Sequence, residues 1–203
     1  MKKLKLEYSS LLQGEFSLGK RNLLFAFQVN CPGCFFYGFP SVNDLHKKYA
    51  DQINILGLST AFEDFEFNNL ENTKLLLTEK KVVGETKKAF ETYPNELQLQ
   101  DIEFPIAMDV LSDKSFITEE NISYIGNHFP NYGLASDNER QEFDLKIKDY
   151  LNMNPIIPVT FTLNQFRGTP TFVLFDEEYT VLKHWFGHKT YEEVEYIITK
   201  HLN

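Results

Sequence analysis

Three continuous apolar runs mark the first half of the chain. They are residues 22–29 (NLLFAFQV), 53–60 (INILGLST) and 102–110 (IEFPIAMDV). Runs of this length without helical periodicity are typical of strands that are buried on both faces of a sheet. The pattern therefore predicts three strands in the interior of one sheet.

Helical patterns fill the stretches between these runs. Apolar residues recur three or four positions apart over residues 42–49, and Gly38 and Pro40 are expected to kink the first half of this helix. Residues 71–90 predict one helix or two short ones. Strands that alternate with helices indicate a mostly parallel sheet covered by helices on both faces.

The C-terminal segment has a different order of elements. Residues 171–176 (TFVLFD) and 180–186 (TVLKHWF) predict two antiparallel strands joined by a tight acidic turn. Thr190 and Glu193 have the spacing of a capping box, which predicts a final helix ending near Leu202. The hairpin adds an antiparallel edge to the sheet, so the predicted fold class is α/β.

The stretch 112–158 is more polar than its surroundings and is rich in Asn, Asp, Ser and Glu. Within it, residues 137–151 place apolar side chains at every fourth position, which predicts an amphipathic helix. We therefore expect a helical insertion just before the hairpin. No internal repeat or low-complexity linker divides the chain, so we predict a single domain over residues 1–203.

The bulk composition narrows the classes of function. The chain has 203 residues and a formal net charge of −9, which argues against a nucleic acid or an anionic membrane as the main partner. The N-terminal sequence MKKLKLEYSS lacks a secretory signal pattern, and no window approaches the roughly 18 apolar residues of a membrane span. We therefore expect a cytoplasmic protein, where a cysteine pair is typically catalytic or metal-binding rather than a structural disulfide.

The stretch FQVNCPGCFFYGFP carries both cysteines of the chain, Cys31 and Cys34. The pattern puts Cys31 between a strand and the first turn of a helix, where free N–H groups and the helix dipole stabilise a thiolate. Pro32 suits the first helical turn, and Gly33 leaves the approach to the sulfur open. Cys34 lies one turn later on the same face, as a resolving thiol would. Such a pair needs no cofactor, because the electrons reside on the two sulfurs.

Two other interpretations of the pair stay open at this point. A tetrahedral zinc site needs two ligands besides the cysteines, and the five histidines have no paired spacing near the motif. The cysteines could also be inert thiols that lie close together by chance.

Two separated motifs resemble the thioredoxin superfamily. One is FQVNCPGC after a buried strand, and the other is GTPTFVLFD, which is similar to the strand of that family that follows a cis-proline. The resemblance covers about 20–110 and 160–203. It implies a thioredoxin-like fold in which Thr169 and Pro170 face the cysteines and help to align an extended substrate segment.

Within that superfamily, the helix and strand over residues 71–110 resemble the redoxin branch, which includes TlpA-like thiol–disulfide oxidoreductases and AhpC/TSA-related peroxiredoxins. The F-Q-x-x-C-P-G-C form and the sequence STAFEDF are most similar to TlpA-like redoxins. A peroxiredoxin carries Pro-x-x-x-Thr-x-x-Cys, and this chain has Leu24 and Gln28 at the proline and threonine positions. The resemblance therefore favours an oxidoreductase over a peroxidase.

The chain departs from the superfamily pattern at two positions. Asn30 stands where a tryptophan usually precedes the first cysteine, and Phe25 stands near the position of a buried acid. Glu63 or Asp64 could replace that acid, because they follow the carboxyl end of a strand, or they could be solvated loop residues. Arg167 is either a solvated turn residue or a contact for an acidic substrate.

These features predict a thiol–disulfide oxidoreductase and favour a reductase over an oxidase. Its partners would be a protein or small-molecule disulfide and an unknown thiol reductant. The first alternative is a redox-inactive thioredoxin-fold binding module, and the second is a thiol peroxidase. The insertion 112–158 would either wall a groove beside the cysteines or serve as a surface decoration or a dimer surface.

Overall fold

The structure is a computed structural model that describes residues 2–94 and 99–202. Its strands are β1 (Tyr8–Gln13), β2 (Arg21–Phe27), β3 (Asn54–Ser59), β4 (Ile106–Asp109), β5 (Leu111–Ser112), β6 (Ile157–Pro158), β7 (Thr171–Asp176) and β8 (Val181–Phe186). Its α-helices are α1 (Phe39–Tyr49), α2 (Leu70–Glu79), α3 (Gly84–Thr92), α4 (Glu119–Gly126), α5 (Asp137–Met153), α6 (Val159–Leu163) and α7 (Tyr191–Leu202). None of the helices in these ranges has the length and apolar character needed to span a lipid bilayer.

The main sheet has the strand order β1-β4-β3-β2-β7-β8. The central strands β2, β3 and β4 are parallel, whereas β7 runs antiparallel to β2 and pairs with β8 in the predicted hairpin. The predicted α/β class is therefore confirmed. β1 was not predicted, and it pairs antiparallel with β4 at the opposite edge of the sheet.

Both faces of the central strand β2 are buried, as its continuous apolar sequence predicts. Phe25 and Phe27 point into a core that α1 and α7 cover, and Leu24 and Ala26 point into a second core that α6 covers through Phe161. The first core is rich in aromatic side chains, with the ring of Phe25 at its centre. Cys34 belongs to this first core.

The insertion begins and ends in one small ribbon. Leu111 pairs with Pro158, and Ser112 pairs with Ile157, so β5 and β6 close the segment at its base. Between them, α4 and α5 pack on each other around a third apolar cluster that is separate from both faces of the sheet. Helix α5 begins and ends within two residues of the predicted helix.

The N-terminal segment ahead of β1 holds α6 in place. The Glu7 backbone N–H donates to Thr160 Oγ1 (2.7 Å), and that hydroxyl donates to the Glu7 carbonyl (2.6 Å). Asn164 makes a second reciprocal pair with the backbone of Lys5. These bonds fix the short helix that leads directly into the chain before β7.

Candidate active site

Cys31 and Cys34 lie just beyond the carboxyl end of β2 and form a disulfide, with their Cα atoms 5.4 Å apart. Helical backbone begins at Pro32, continues as a π-helical segment over Cys34–Gly38, and leads into α1. Cys31 is half-buried, whereas Cys34 is fully buried. The predicted placement between a strand and a helix is what the structure has.

A backbone donor at the start of this helix points to the first cysteine. The N–H of Cys34 lies 3.2 Å from Cys31 Sγ and 2.9 Å from the Cys31 carbonyl. The pyrrolidine nitrogen of Pro32 has no N–H to offer. In the dithiol form, the Cys34 N–H and the positive end of the helix favour a thiolate on Cys31.

The second predicted motif comes to the same place. The Thr169–Pro170 peptide bond is cis, and the Thr169 carbonyl oxygen lies 3.6 Å from Cys31 Sγ. A Cβ added to Gly33 would lie 3.9 Å from Pro170 Cδ, so the proline ring faces the turn between the cysteines. The fold thus brings the four predicted site residues together.

Gln28 is a site residue whose role the sequence reasoning missed. Its side chain is buried, and its Oε1 accepts a hydrogen bond from Thr169 Oγ1 at 3.2 Å. Its Nε2 donates to the Glu63 carbonyl at 3.3 Å. The amide therefore joins the loop before β7 to the loop after β3. A polar residue inside the apolar run NLLFAFQV was the available signal.

Asn30 is a structural junction beside the first cysteine. Its Oδ1 accepts from the Glu85 backbone N–H at the start of α3 (2.6 Å), and its Nδ2 donates to Asp64 Oδ2 (2.9 Å). Its own backbone N–H donates to Asn68 Oδ1 (2.9 Å). Asn30 therefore ties α3 to the loop after β3.

No acid lies at the family position beneath the cysteines. Phe25 occupies it and is fully buried, stacked on Phe172 with ring centroids 5.1 Å apart. Glu63 and Asp64 are both exposed, although partial burial and the charge of Asp64 raise the pKa of the Glu63 carboxyl above its ordinary value. They contribute to the site through the Glu63 carbonyl and the Asp64 carboxylate described above.

Asp109 is a buried acid that the sequence reasoning did not single out. Its carboxylate accepts from Thr60 Oγ1 (2.9 Å) and from the backbone N–H groups of Thr160 (2.9 Å) and Phe161 (3.2 Å). Burial raises its pKa to about 7, against the opposing effect of these hydrogen bonds. Ala107, two residues earlier and therefore on the same face of β4, belongs to the second core. Cys34 belongs to the first core, on the other face of the sheet. Asp109 therefore anchors α6 and does not replace the acid beneath the cysteines.

Exposed aromatic side chains flank the cysteines on the hairpin side. The Gly187 N–H donates to the Pro170 carbonyl at 2.8 Å, which fixes the end of β8 against the proline. Phe186 and Tyr37 are about half exposed, and the ring of Tyr37 lies 4.0 Å from that of His188. These side chains leave aromatic surface open to solvent on this side of the site.

Replacing Gln28 by leucine should lower the rate at which the Cys31–Cys34 pair exchanges with a test disulfide by about threefold to tenfold, the effect of one or two buried hydrogen bonds. Leucine keeps most of the volume but releases the Thr169 hydroxyl, so the Thr169 carbonyl is held less firmly against the Cys31 sulfur. Thr169→Val removes the same hydrogen bond from the other side. The rates of exchange with a test disulfide, measured for both single variants and the double variant, form a double-mutant cycle.

The two substitutions should be non-additive, with the double variant close to the slower single variant. Additive losses would mean that Gln28 and Thr169 act independently, which contradicts a positioning role for Gln28. Each variant should still form the Cys31–Cys34 disulfide, which thiol alkylation measures.

Across residues 2–94 and 99–202, no three His, Cys, Asp or Glu side chains lie close enough together to hold a metal ion.

Two solved structures resemble this fold over its whole length. A thiol-disulfide isomerase from Corynebacterium glutamicum is 18% identical, with a TM-score of 0.60 over 100% of this chain and 96% of its own. A thioredoxin-like superfamily protein, SPOA0173, is 20% identical, with a TM-score of 0.58 over 100% and 97%. No protein-family model matches the sequence, and no curated protein matches it. The chain therefore has a thioredoxin-like fold that carries a Cys-x-x-Cys pair, as its two motifs imply.

Proposed function

We propose that this protein is a thiol–disulfide oxidoreductase that reduces disulfides. The observation that carries the proposal is the Cys31–Cys34 disulfide at a helix start, with the Cys34 N–H directed at the outer sulfur. A half-buried cysteine followed by a fully buried one separates an attacking sulfur from a resolving sulfur. The similarity of the fold to a thiol-disulfide isomerase supports the same class of chemistry.

The reaction begins from the dithiol form. The Cys31 thiolate attacks one sulfur of the substrate disulfide, a mixed disulfide forms, and the other substrate sulfur leaves as a thiolate that takes up a proton. Cys34 loses its proton and attacks the Cys31 sulfur, which releases the second substrate thiol. Two electrons pass to the substrate, and an external thiol reductant returns the protein to the dithiol form.

Thr169 and Pro170 have a positioning role in this proposal. The Thr169 carbonyl lies beside the Cys31 sulfur, and the Pro170 ring covers the turn at Gly33. Proline has no N–H that could compete for the thiolate. An extended substrate segment could therefore lie along the Thr169 backbone with its disulfide against Cys31.

The direct test is insulin reduction in the presence of dithiothreitol, followed by turbidity. The proposal predicts that catalytic amounts of the folded protein accelerate precipitation well above the rate with dithiothreitol alone. A rate equal to that of dithiothreitol alone would overturn it and favour a binding module without turnover. Hydrogen peroxide consumption with the same thiol donor separates a peroxidase from both.

A further inference from the structure

Two cavities that share four lining residues lie along the insertion and are here together called the insertion groove. One, of about 330 Å³, lies between α4, α5 and α6 and is lined by apolar side chains that include Phe129, Phe143 and Ile147. The other, of about 180 Å³, lies under the end of α5. Both are lined by Tyr150, and they also share Leu151, Thr162 and Gln165. The larger one falls within the size range of small binding sites.

The smaller cavity is walled by three phenylalanine side chains, Phe62 from the loop after β3, Phe161 from α6 and Phe166 from the loop before β7. Phe62 stacks on Phe161 with centroids 4.2 Å apart, and Phe161 meets Phe166 edge to face at 5.9 Å. Phe62 directly precedes Glu63, whose carbonyl accepts from Gln28. The groove therefore ends on the loop after β3 and on the loop before β7.

The distance from this wall to the redox sulfur is short. Phe166 precedes Thr169 by three residues, which span at most about 10 Å of extended chain, and the Thr169 carbonyl lies 3.6 Å from Cys31 Sγ. A polypeptide whose cysteine is at Cys31 would reach the groove with a residue three or four positions away. An apolar groove within this reach of the redox sulfur suits an extended polypeptide segment.

The lining of the groove also restricts what can bind there. Of the described residues that line the two cavities, Lys146 carries the single charge and none is acidic. This is notable in a chain with a net charge of −9. Tyr150 on α5 is nevertheless 63% exposed, and Phe129 in the turn after α4 is 40% exposed. Apolar side chains of a bound segment would remove this surface from water, whereas basic side chains would be repelled by the charge of Lys146.

We propose that the insertion groove binds an apolar segment of the disulfide-bearing substrate protein, three to six residues from its reacting cysteine. This inference rests on the proposed reductase function, because it assigns the substrate class of the same site. It gives the insertion a role in substrate choice. Substrates with polar or basic segments at that spacing would react more slowly.

Four synthetic peptides test the proposal. Each carries one cysteine joined by a disulfide to 5-thio-2-nitrobenzoate. Four residues, three to six positions from this cysteine, are all leucine or all serine, and they lie on either the N-terminal or the C-terminal side of the cysteine. Pre-reduced protein supplies the two electrons in a single turnover. It becomes oxidised, and the peptide thiol and the coloured thiolate are released. On the side of the cysteine that faces the groove, the leucine peptide should react about tenfold faster than the serine peptide.

A matched pair of variants on α5 assigns the preference to the groove. Tyr150→Glu puts a negative charge on the shared wall, and Met153→Glu makes the same charge change at a 75% exposed position that lines neither cavity. The leucine-to-serine rate ratio should fall about fivefold in Tyr150→Glu and stay unchanged in Met153→Glu. Equal rates for leucine and serine peptides in the native protein, or a ratio that survives Tyr150→Glu, would overturn the proposal.

A binding measurement separates failure of the groove from failure of the redox function. A fluorescein-labelled leucine peptide with serine in place of cysteine is titrated with each protein, and anisotropy gives the Kd. Weaker binding by Tyr150→Glu alone supports the groove even where no protein reduces any disulfide. No binding, or equal Kd values for all three proteins, contradicts it even where insulin is reduced.

Discussion

Replacing Cys31 by serine should abolish disulfide reduction, with a loss of at least about 10³-fold relative to the native protein. A serine hydroxyl is not ionised at neutral pH, so the N–H of Cys34 has no thiolate to stabilise and no nucleophile attacks the substrate. The insulin assay with dithiothreitol measures the loss. A far-ultraviolet circular dichroism spectrum equal to that of the native protein shows that the variant is folded.

The same substitution at Cys34 is the matched control, because it changes the same atom three residues further on. Cys34→Ser keeps the attacking sulfur and removes the resolving one, so a mixed disulfide between Cys31 and the substrate should accumulate. Non-reducing electrophoresis and mass spectrometry detect it. Full activity of Cys31→Ser, or trapping through Cys34 rather than Cys31, would reverse the proposed roles.

The second large effect is on stability and concerns Asp109. Asp109→Ala should lower the free energy of unfolding by about 2–4 kcal/mol, because the buried N–H groups of Thr160 and Phe161 lose their acceptor. Asp109→Asn keeps one acceptor oxygen and should cost less. Urea unfolding at pH 7 measures both variants. A loss below about 0.5 kcal/mol in Asp109→Ala would mean that this carboxylate does not hold α6.

The raised pKa of Asp109 also predicts a pH dependence. Its pKa is about 7 in the folded protein against about 4 in an unfolded chain, so folding favours the protonated form. The contribution of Asp109 to the free energy of unfolding is largest below about pH 4 and falls as the pH rises towards 7. The fall between pH 5 and pH 7 is about 2 kcal/mol.

A half-buried histidine opposes this trend. Burial and the charge of Lys2 lower the pKa of His128 to about 4, and its contribution is lost as the pH falls below about 6.5. The native protein can therefore have a nearly flat profile. The His128 contribution cancels when the free energy of unfolding of Asp109→Asn is subtracted from that of the native protein. This difference should shrink as the pH rises from 5 to 7. A constant difference would contradict the raised pKa of Asp109.

The sequence predicts the central sheet well, because each of these strands is a continuous apolar run. The hairpin strand β7 occupies the predicted residues. β4 is shorter than its apolar run, starting at Ile106, directly after Pro105, which has no N–H for a sheet ladder. β1 was missed because the sequence YSSLLQ is half-exposed at a sheet edge and has an irregular register with β4. Such a strand forms only where a partner is available.

The residues of the candidate active site also divide into those that the sequence predicts and those that it does not. Cys31, Cys34 and Pro170 are visible in the sequence because their residue types are unusual at those positions. Gln28 and Asp109 act through bonds to residues 35–141 positions away, which no local pattern encodes. The insertion's helices follow from periodicity, whereas the groove between them depends on how α4, α5 and α6 pack.

The central claim is that Cys31 and Cys34 form a reversible redox pair that donates electrons. The most direct measurement is the equilibrium of the pair against a series of glutathione and dithiothreitol buffers, read by thiol alkylation. The account predicts a single two-electron transition at a potential near or below the cytosolic range of roughly −220 to −320 mV. A pair that never forms a disulfide in this series, or one that titrates near −120 mV as strong oxidants do, would contradict the reductase.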